Sequence, residues 1–415
     1  MSGSSNFNKA TNDLDEIFAP RNWFKTTGSE LCGMGEWQAG EMGIGISQAG
    51  STRSLVQEFC SATNWASVSQ GRIHTAGLKE DGTLWTWGYN LFGALGIGNT
   101  NCAGYVNSPV PEYWNATNWC HLMVGAFEGG GVKADGSLWM WGRNEYGALG
   151  INSSTGTDDG CVCPVREVTT GENWLTGCIG FSSVNAIKTD GTMWGWGYNM
   201  NGEIATNQQP TCSHSSPVRE ASSSTNWCQV SKSEWANAGV KKDGTLWAWG
   251  RNCCGAANSP ISITNVSSPV QEVSSSTNWC KVTVGNSTLH GLKEDNTLWG
   301  WGYNECGMVG DGCLCIPAVA VSSPVQEYSS STDWVDIMTG ASNGAAIKAN
   351  GTMWISGAND VGQLGKDTTT LAHLSFGSYG ASNNWKAVDL NRYGVSCKRL
   401  YGIFSNDCLD FTIPT

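Results

Sequence analysis

Charge is what this sequence has least of. Only 14% of its 415 residues are charged, and 23 basic residues against 35 acidic ones leave a formal net charge of −12. No basic tract is available to neutralise phosphates, which argues against capture of DNA, RNA or an anionic membrane surface. Long apolar runs are missing too: nothing approaches the roughly 20 residues of a spanning helix, so no membrane insertion is expected. The opening MSGSSNFNKATNDLDEIF has neither the basic start nor the apolar core of a secretory signal. The expected location is a virion or a cytoplasm. Histidine is scarce, with five residues far apart, and no Ser-His-Asp set, Gly-x-Ser-x-Gly or phosphate loop is present. No enzyme and no cofactor are expected.

Glycine, tryptophan and cysteine are abundant, at 54, 22 and 17 residues. Helix formers give way to Thr, Val, Trp and turn residues, the composition of an all-β protein. The odd cysteine count implies a free thiol or an intermolecular bond. Cys161/Cys163 and Cys313/Cys315 are Cys-x-Cys pairs, but no second knuckle or nearby His completes a zinc set, so no metal is expected.

One stretch organises the rest. LKEDGTLWTWGYNLFGALGIG at Leu78–Gly98 reads as strand, Asp-Gly turn, Trp strand and glycine-rich exit loop, the turn being expected as type I′. It recurs from Val132, Ile187, Val240, Leu292 and Ile347. Two further markers keep step. An Asn/Asp-Trp pair ends at Trp65, Trp119, Trp174, Trp227, Trp279, Trp334 and Trp385, and a Pro-Val-x-Glu strand ends at Glu112, Glu167, Glu220, Glu272 and Glu327. Four short strands in each unit of roughly 53 residues is the size of one propeller blade.

The ends supply two half-units. Gly28–Gly45 aligns with Asp81–Gly98 at a constant offset, and Asn383–Leu400 holds a first half. The expected architecture is a seven-bladed propeller of four-stranded blades, closed by a blade shared between the termini. Its six whole repeats occupy about 64–382, and the shared blade is 22–63 plus 383–415. Residues 1–21 are expected as an N-terminal arm, in which the spacing of Leu14, Ile17 and Phe18 would put three apolar side chains on one helical turn. Residues 401–415 are expected beyond the paired strands, as an extra strand or a tail.

WGYNLFGALG at Trp87–Gly96 and WGRNEYGALG at Trp141–Gly150 resemble the regulator-of-chromosome-condensation repeat family. The resemblance covers residues 28 to about 400 and implies a seven-bladed propeller. The founding member's nucleotide exchange does not carry over. The basic tail and the wedge-like insertion are missing, and the family's His survives only as His74, with Glu128, Ser183, Ala236, Thr288 and Asn343 at the aligned places. The compact Trp-rich style is most similar to propellers of marine bacteriophages and bacteria.

Repeated residues read as structure. The recurrent Asp81, Asp135, Asp190, Asp243 and Asp295 precede glycine or asparagine and are turn residues. One lysine (Lys79 and equivalents) and one glutamate (Glu58 and equivalents) per blade are expected to ion-pair around the ring. Trp85, Trp87 and their counterparts are expected to pack blade against blade, whereas Trp37, Trp114 and Trp235 break the pattern and are the candidates for exposure. Recognition is expected where the copies differ, at the two residues between the repeated Asn and Gly: Leu91, Phe92, Glu145, Tyr146, Met200, Asn201, Glu305 and Asp360. The leading expectation is a non-enzymatic virion component, a decoration or tail-associated protein whose partners are its assembly neighbours. The alternatives are a soluble inhibitor or adaptor binding one protein, and a glycan-binding adhesin.

Overall fold

The computed structural model describes residues 29–37, 40–46, 50–99, 105–154, 160–169, 171–208, 213–252, 265–304, 307–313, 320–359, 364, 372–380, 382–390 and 399–405. The arm at 1–21 lies outside them.

Each repeat folds as an antiparallel four-stranded blade. In the first blade the strands are Trp65–Gln70, His74–Lys79, Leu84–Tyr89 and Tyr105–Pro111, in that spatial order. The second strand is buried along nearly its whole length, so it lies inside the stack of blades rather than at a half-wetted sheet face. Seven four-stranded sheets are formed by the described strands. Six are continuous in sequence. The other interleaves the two ends of the chain in the order Gly50–Gln57, Ser29–Trp37, Arg399–Ser405, Trp385–Leu390. Residues 401–405 are therefore not beyond the paired strands. They pair on both sides, with Gly402 opposite both Cys32 and Val388.

The Trp-led first strands touch one another in succession, and Trp385–Leu390 touches both Trp334–Thr339 and Trp65–Gln70. At that last contact the Gln70 backbone N–H donates to Asp389 Oδ2 at 2.8 Å, and Gln70 Nε2 donates to the Asp389 carbonyl at 2.9 Å. The molecule is an all-β propeller whose only described helix is the 3-10 turn Leu91–Gly93.

The repeated side chains explain the period. Asp81 Oδ1 accepts from the Thr83 N–H and hydroxyl at 3.0 and 2.6 Å, and Thr83 Oγ1 accepts from Trp85 Nε1 at 2.9 Å. This clasp recurs through Asn350, Thr352 and Trp354, where an amide replaces the acid. Only the last residue of each turn takes positive φ, Gly82 at 77° and Asn296 at 60° in the fifth copy, and the Gly82 N–H bonds the Lys79 carbonyl three residues back. The turn is thus type I with a left-handed fourth residue, not type I′.

The expected Lys–Glu ion pairs are not formed among the described residues. Glu112 is 1% exposed, and its carboxylate accepts from Trp114 N, Ala116 N and Trp119 Nε1 at 2.7, 2.7 and 3.3 Å. Glu272 and Glu327 repeat this pattern. With its lone pairs filled by N–H donors, the carboxylate does not need the ammonium. Lysine lies instead between two indoles, Lys79 Nζ standing 5.0 Å from the Trp65 ring and 3.8 Å from that of Trp85.

The two tryptophans of each third strand have different duties. Trp85 is half-buried and covers its lysine, whereas Trp87 is fully buried and donates Nε1 to the Glu41 carbonyl of the preceding sheet's loop at 2.8 Å. Trp141 and Trp196 reach back in the same way to Ala94 and Ala148. It is this second tryptophan that ties blade to blade.

Candidate docking face

Two kinds of loop share one end of the blades. The exit of the third strand bonds the turn between the first two strands: Tyr89, Arg143, Tyr198 and Arg251 donate their backbone N–H to the carbonyls of Ile73, Phe127, Ser182 and Trp235. Residues in either loop therefore sit beside one another on one face of the disc. In the first four blades this face is aromatic and basic.

The rings make a chain across blade boundaries. Phe92 meets Phe127 edge-on at 5.8 Å, Phe127 meets Phe181 at 6.4 Å, and Phe181 lies 5.0 Å from Trp235 and 6.1 Å from Tyr198. Tyr198 also contacts Trp235 at 5.8 Å and Tyr146 at 4.8 Å. All six rings are half-buried. The Arg143 guanidinium lies 5.2 Å from the Phe92 ring and 5.4 Å from that of Phe127, and Arg72 lies 5.9 Å from Phe127. The corresponding turns of the fifth and sixth blades carry only Asn286-Ser287 and Ala341-Ser342. The face is lopsided: the chain of touching rings runs over four blades, while the turns of the next two are small and polar and the fifth blade adds Tyr303 at its exit.

Phe92 holds its place at φ 58°, in the left-handed region that costs a bulky residue roughly 1–2 kcal/mol. Arg143 ion-pairs with Glu145. Burial pushes the Glu234 carboxyl up, opposed by Arg72, by a hydrogen bond from Trp235 and then by Arg251. The Tyr146 and Tyr198 phenols are also raised, chiefly by burial. Beneath Phe127 lies Glu128, fully buried, with Oε1 accepting from the Ser182 hydroxyl at 2.7 Å and Oε2 from the Phe127 N–H at 3.1 Å. Burial pushes its carboxyl up to about 7.

The expected recognition residues distribute as follows. Phe92, Glu145 and Tyr146 belong to the aromatic face. Leu91 is half-buried beside it, and Met200 is 48% exposed. Asn201 is engaged, its backbone N–H and Nδ2 donating to Glu203 and its Oδ1 accepting from Asn265. Glu305 and Asp360 lie outside the described residues. The variable pairs alone miss Phe127, Phe181, Tyr198, Arg72 and Arg143. A signal for most of them was present: the two residues before each second strand, from Arg72-Ile73 to Ala341-Ser342, vary between copies as freely as the exit pairs do. Trp235 was marked by breaking the repeat, as was Trp114, which is 56% exposed at the outer edge; the Trp37 side chain is outside the described residues. His290 bonds Thr339 Oγ1 at 2.8 Å, and His121 contacts the Gly177 carbonyl at 3.1 Å, so both histidines are packed into the blades. Cys32, Cys60, Cys120, Cys161, Cys163, Cys228 and Cys280 are free thiols, and no described group of three or more His, Cys, Asp or Glu is placed to hold a metal.

Comparison with known proteins follows the repeats. A family model described as the regulator of chromosome condensation (RCC1) repeat matches residues 65–94, and a second of the same description matches 135–174. The ultraviolet-B receptor UVR8 of Arabidopsis thaliana is 23% identical over 343 residues, covering 82% of this chain and 75% of the receptor. The mitochondrial RCC1 domain-containing protein RUG3 of the same plant is 25% identical over 251 residues, and the match spans about half of it, 53%. Yeast RCC1 (Prp20), solved with Kap60 bound, superposes with a TM-score of 0.77 at 15% identity, covering 99% of this chain and 95% of that one. The chain carries RCC1-type repeats folded as an RCC1-type propeller.

Proposed function

We propose that this propeller is a non-enzymatic protein-binding module, a seven-bladed ring closed by a blade shared between its ends, forming one domain over residues 22–415. Its partner docks on the aromatic–arginine face. The lopsided chain of half-buried rings carries this reading. A repeat that served only to build the disc would present similar residues at every blade, whereas clustered Phe, Tyr, Trp and Arg are the side chains of interface anchors. Support by analogy comes from yeast RCC1, whose structure contains a bound protein, Kap60. The relatives give no support to a virion component, and the reading here is the broader one of protein binding.

Photo-crosslinking tests it. A benzophenone amino acid is placed at Phe92 or Phe181, and at Tyr328, an exposed residue in the turn that follows an outer strand. Native-source extracts should give one discrete heteromeric adduct from the two face positions and none from Tyr328. Equal labelling from all three positions would remove the assignment. A glycan-binding reading has a separate basis, the exposed Tyr113 and Trp114 pair, whose rings stand 4.7 Å apart. Glycan-array hits abolished by Trp114→Ala would favour it.

A further inference from the structure

Three rings of the aromatic face, Phe181, Trp235 and Tyr198, touch one another in a closed triangle, at 5.0, 5.8 and 6.1 Å. They come from three different turns of the third and fourth blades. Beneath them lies Lys232, the last residue of the strand Trp227–Lys232 and fully buried. We propose that Lys232 is a positioning residue for docking: its ammonium fixes these three turns, and with them the corner of the face on which a partner seats. This rests on the docking reading above and names the group that sets the geometry of that site.

The bonds converge from both blades. Lys232 Nζ donates to Asn185 Oδ1 of the third blade at 3.0 Å, to Asn237 Oδ1 of the fourth at 2.6 Å, and to the Glu203 carbonyl at 3.1 Å. An ammonium has three N–H donors and three oxygens meet it, whereas a neutral amine would turn a lone pair toward one of them. Glu203 lies in the exit loop that begins at Tyr198. Its carbonyl also accepts from Trp249 Nε1 at 3.1 Å, and its carboxylate holds the Asn201 N–H and Nδ2 at 2.8 and 2.6 Å. The lysine stem supports the other two turns. Its Cε stands 2.7 Å from where a Cβ on Gly180 would be, directly against the Phe181 turn, and Ser233-Glu234-Trp235 continues from Lys232 itself. Those two turns are joined by the Phe181 N–H, which reaches the Glu234 carbonyl at 3.4 Å.

Stacking one blade on the next does not call for this cluster. Val124, Ile179, Val284 and Leu390 stand at four of the six places equivalent to Lys232. Asn185 stands where other blades have Ala76, Ala238 and Ala345, and Asn237 where they have Val184 and Leu289. Three departures from the repeat therefore meet at one point, under the one closed triangle of rings on the face. A cation buried among uncharged oxygens stabilises a core less than aliphatic side chains of the same volume do. What it adds is direction. Three fixed bonds admit one arrangement of the turns, where methyl groups would admit several.

Fluorine NMR and hydrogen exchange test this on the full chain without its partner, with para-fluorophenylalanine placed at Phe181 or, as the control, at Phe92. Lys232→Met leaves three acceptors without their donor and lowers the urea midpoint. The Phe181 signal should shift or broaden while that of Phe92 stays, and exchange at 180–184, 198–204 and 233–236 should accelerate about tenfold or more. The second variant adds Asn185→Leu and Asn237→Leu to Lys232→Met. An apolar filling should recover the urea midpoint but neither the native Phe181 signal nor the protection of the three segments. Native signal and exchange in either variant would overturn the proposal, as would an equal change at Phe92. Failure of both variants to fold would make Lys232 a requirement of the fold rather than of the face, and would overturn it too. In the triple variant the crosslinked adduct from Phe181 should fall about tenfold while that from Phe92 persists, and an unchanged Phe181 yield would remove the role in docking. Absence of any adduct from the native protein would sink the docking reading instead, whatever the fluorine signals show, so the two fail separately.

Discussion

A carboxylate placed in a protein core costs several kcal/mol unless its lone pairs are filled. Glu112 meets that condition with three N–H donors, one of them the indole seven residues on. This explains why Pro-Val-x-Glu and Asn-Trp keep a fixed spacing: the glutamate closes the turn onto the tryptophan that begins the next blade. The lysine facing the same indole is incidental to the carboxylate. Glu112→Gln should cost about 2–4 kcal/mol, because an amide cannot satisfy the same donors, whereas Lys133→Met should cost about 1 kcal/mol or less. Urea unfolding of both single variants and the double variant checks this, and a coupling above about 1 kcal/mol would restore the ion-pair view. A second residue-scale prediction concerns acid. Burial holds the His290 imidazole down at about 4, from an ordinary 6.5. Below 6.5 the unfolded chain takes up a proton that the fold refuses. The stability His290 provides is therefore complete above 6.5 and is lost as pH falls toward 4, by on the order of 3 kcal/mol. In His290→Leu that limb of the stability–pH curve should flatten.

At the scale of the element, the hairpins were legible and their turn type was not. Asp-Gly between alternating apolar runs located the turn between the second and third strands correctly. Yet the same dipeptide serves a type I turn with a left-handed exit as well as type I′, and the Asp-to-Thr bond favours the former. The fifth copy provides a test. Asn296 stands where the other turns have glycine and adopts φ 60°, a conformation that glycine takes without penalty. Asn296→Gly should stabilise the protein by up to about 1 kcal/mol, read as a raised urea midpoint at unchanged m-value. In contrast, a Cβ at Gly244 would stand 2.0 Å from the Thr277 carbonyl oxygen, so Gly244→Ala should destabilise. The loops divide in the same way. Their variability was visible, and it pointed to Phe92, Glu145 and Tyr146. That the first-to-second-strand turns stand beside them is a tertiary fact, carried by bonds such as Arg143 N–H to Phe127 O.

At the scale of the whole molecule, a ring of repeats has one junction that the chain does not make automatically. Blades that are continuous in sequence meet their neighbours because the chain delivers them, but the sheet built from Ser29–Gln57 and Trp385–Ser405 depends on its two ends finding each other. The half-units at the ends were readable from glycine spacing. The outer limit of the last strand was not, because the stretch around Tyr401 lacks the Asp-Gly and Trp markers that set register elsewhere. Gln70 and Asp389 pin this junction with two buried bonds, and Asp389 is 3% exposed. Removing the carboxylate in Asp389→Ala leaves the Gln70 N–H without its acceptor and should cost about 1–3 kcal/mol. The location of the effect matters more than its size. In an array where each unit contacts only its neighbours, damage at one interface spreads weakly. Hydrogen exchange should therefore accelerate at 65–70 and 385–390, while the third to fifth blades keep their protection. A uniform acceleration through all blades would mean instead that the disc opens as one cooperative unit, with closure built into every interface rather than held at this one.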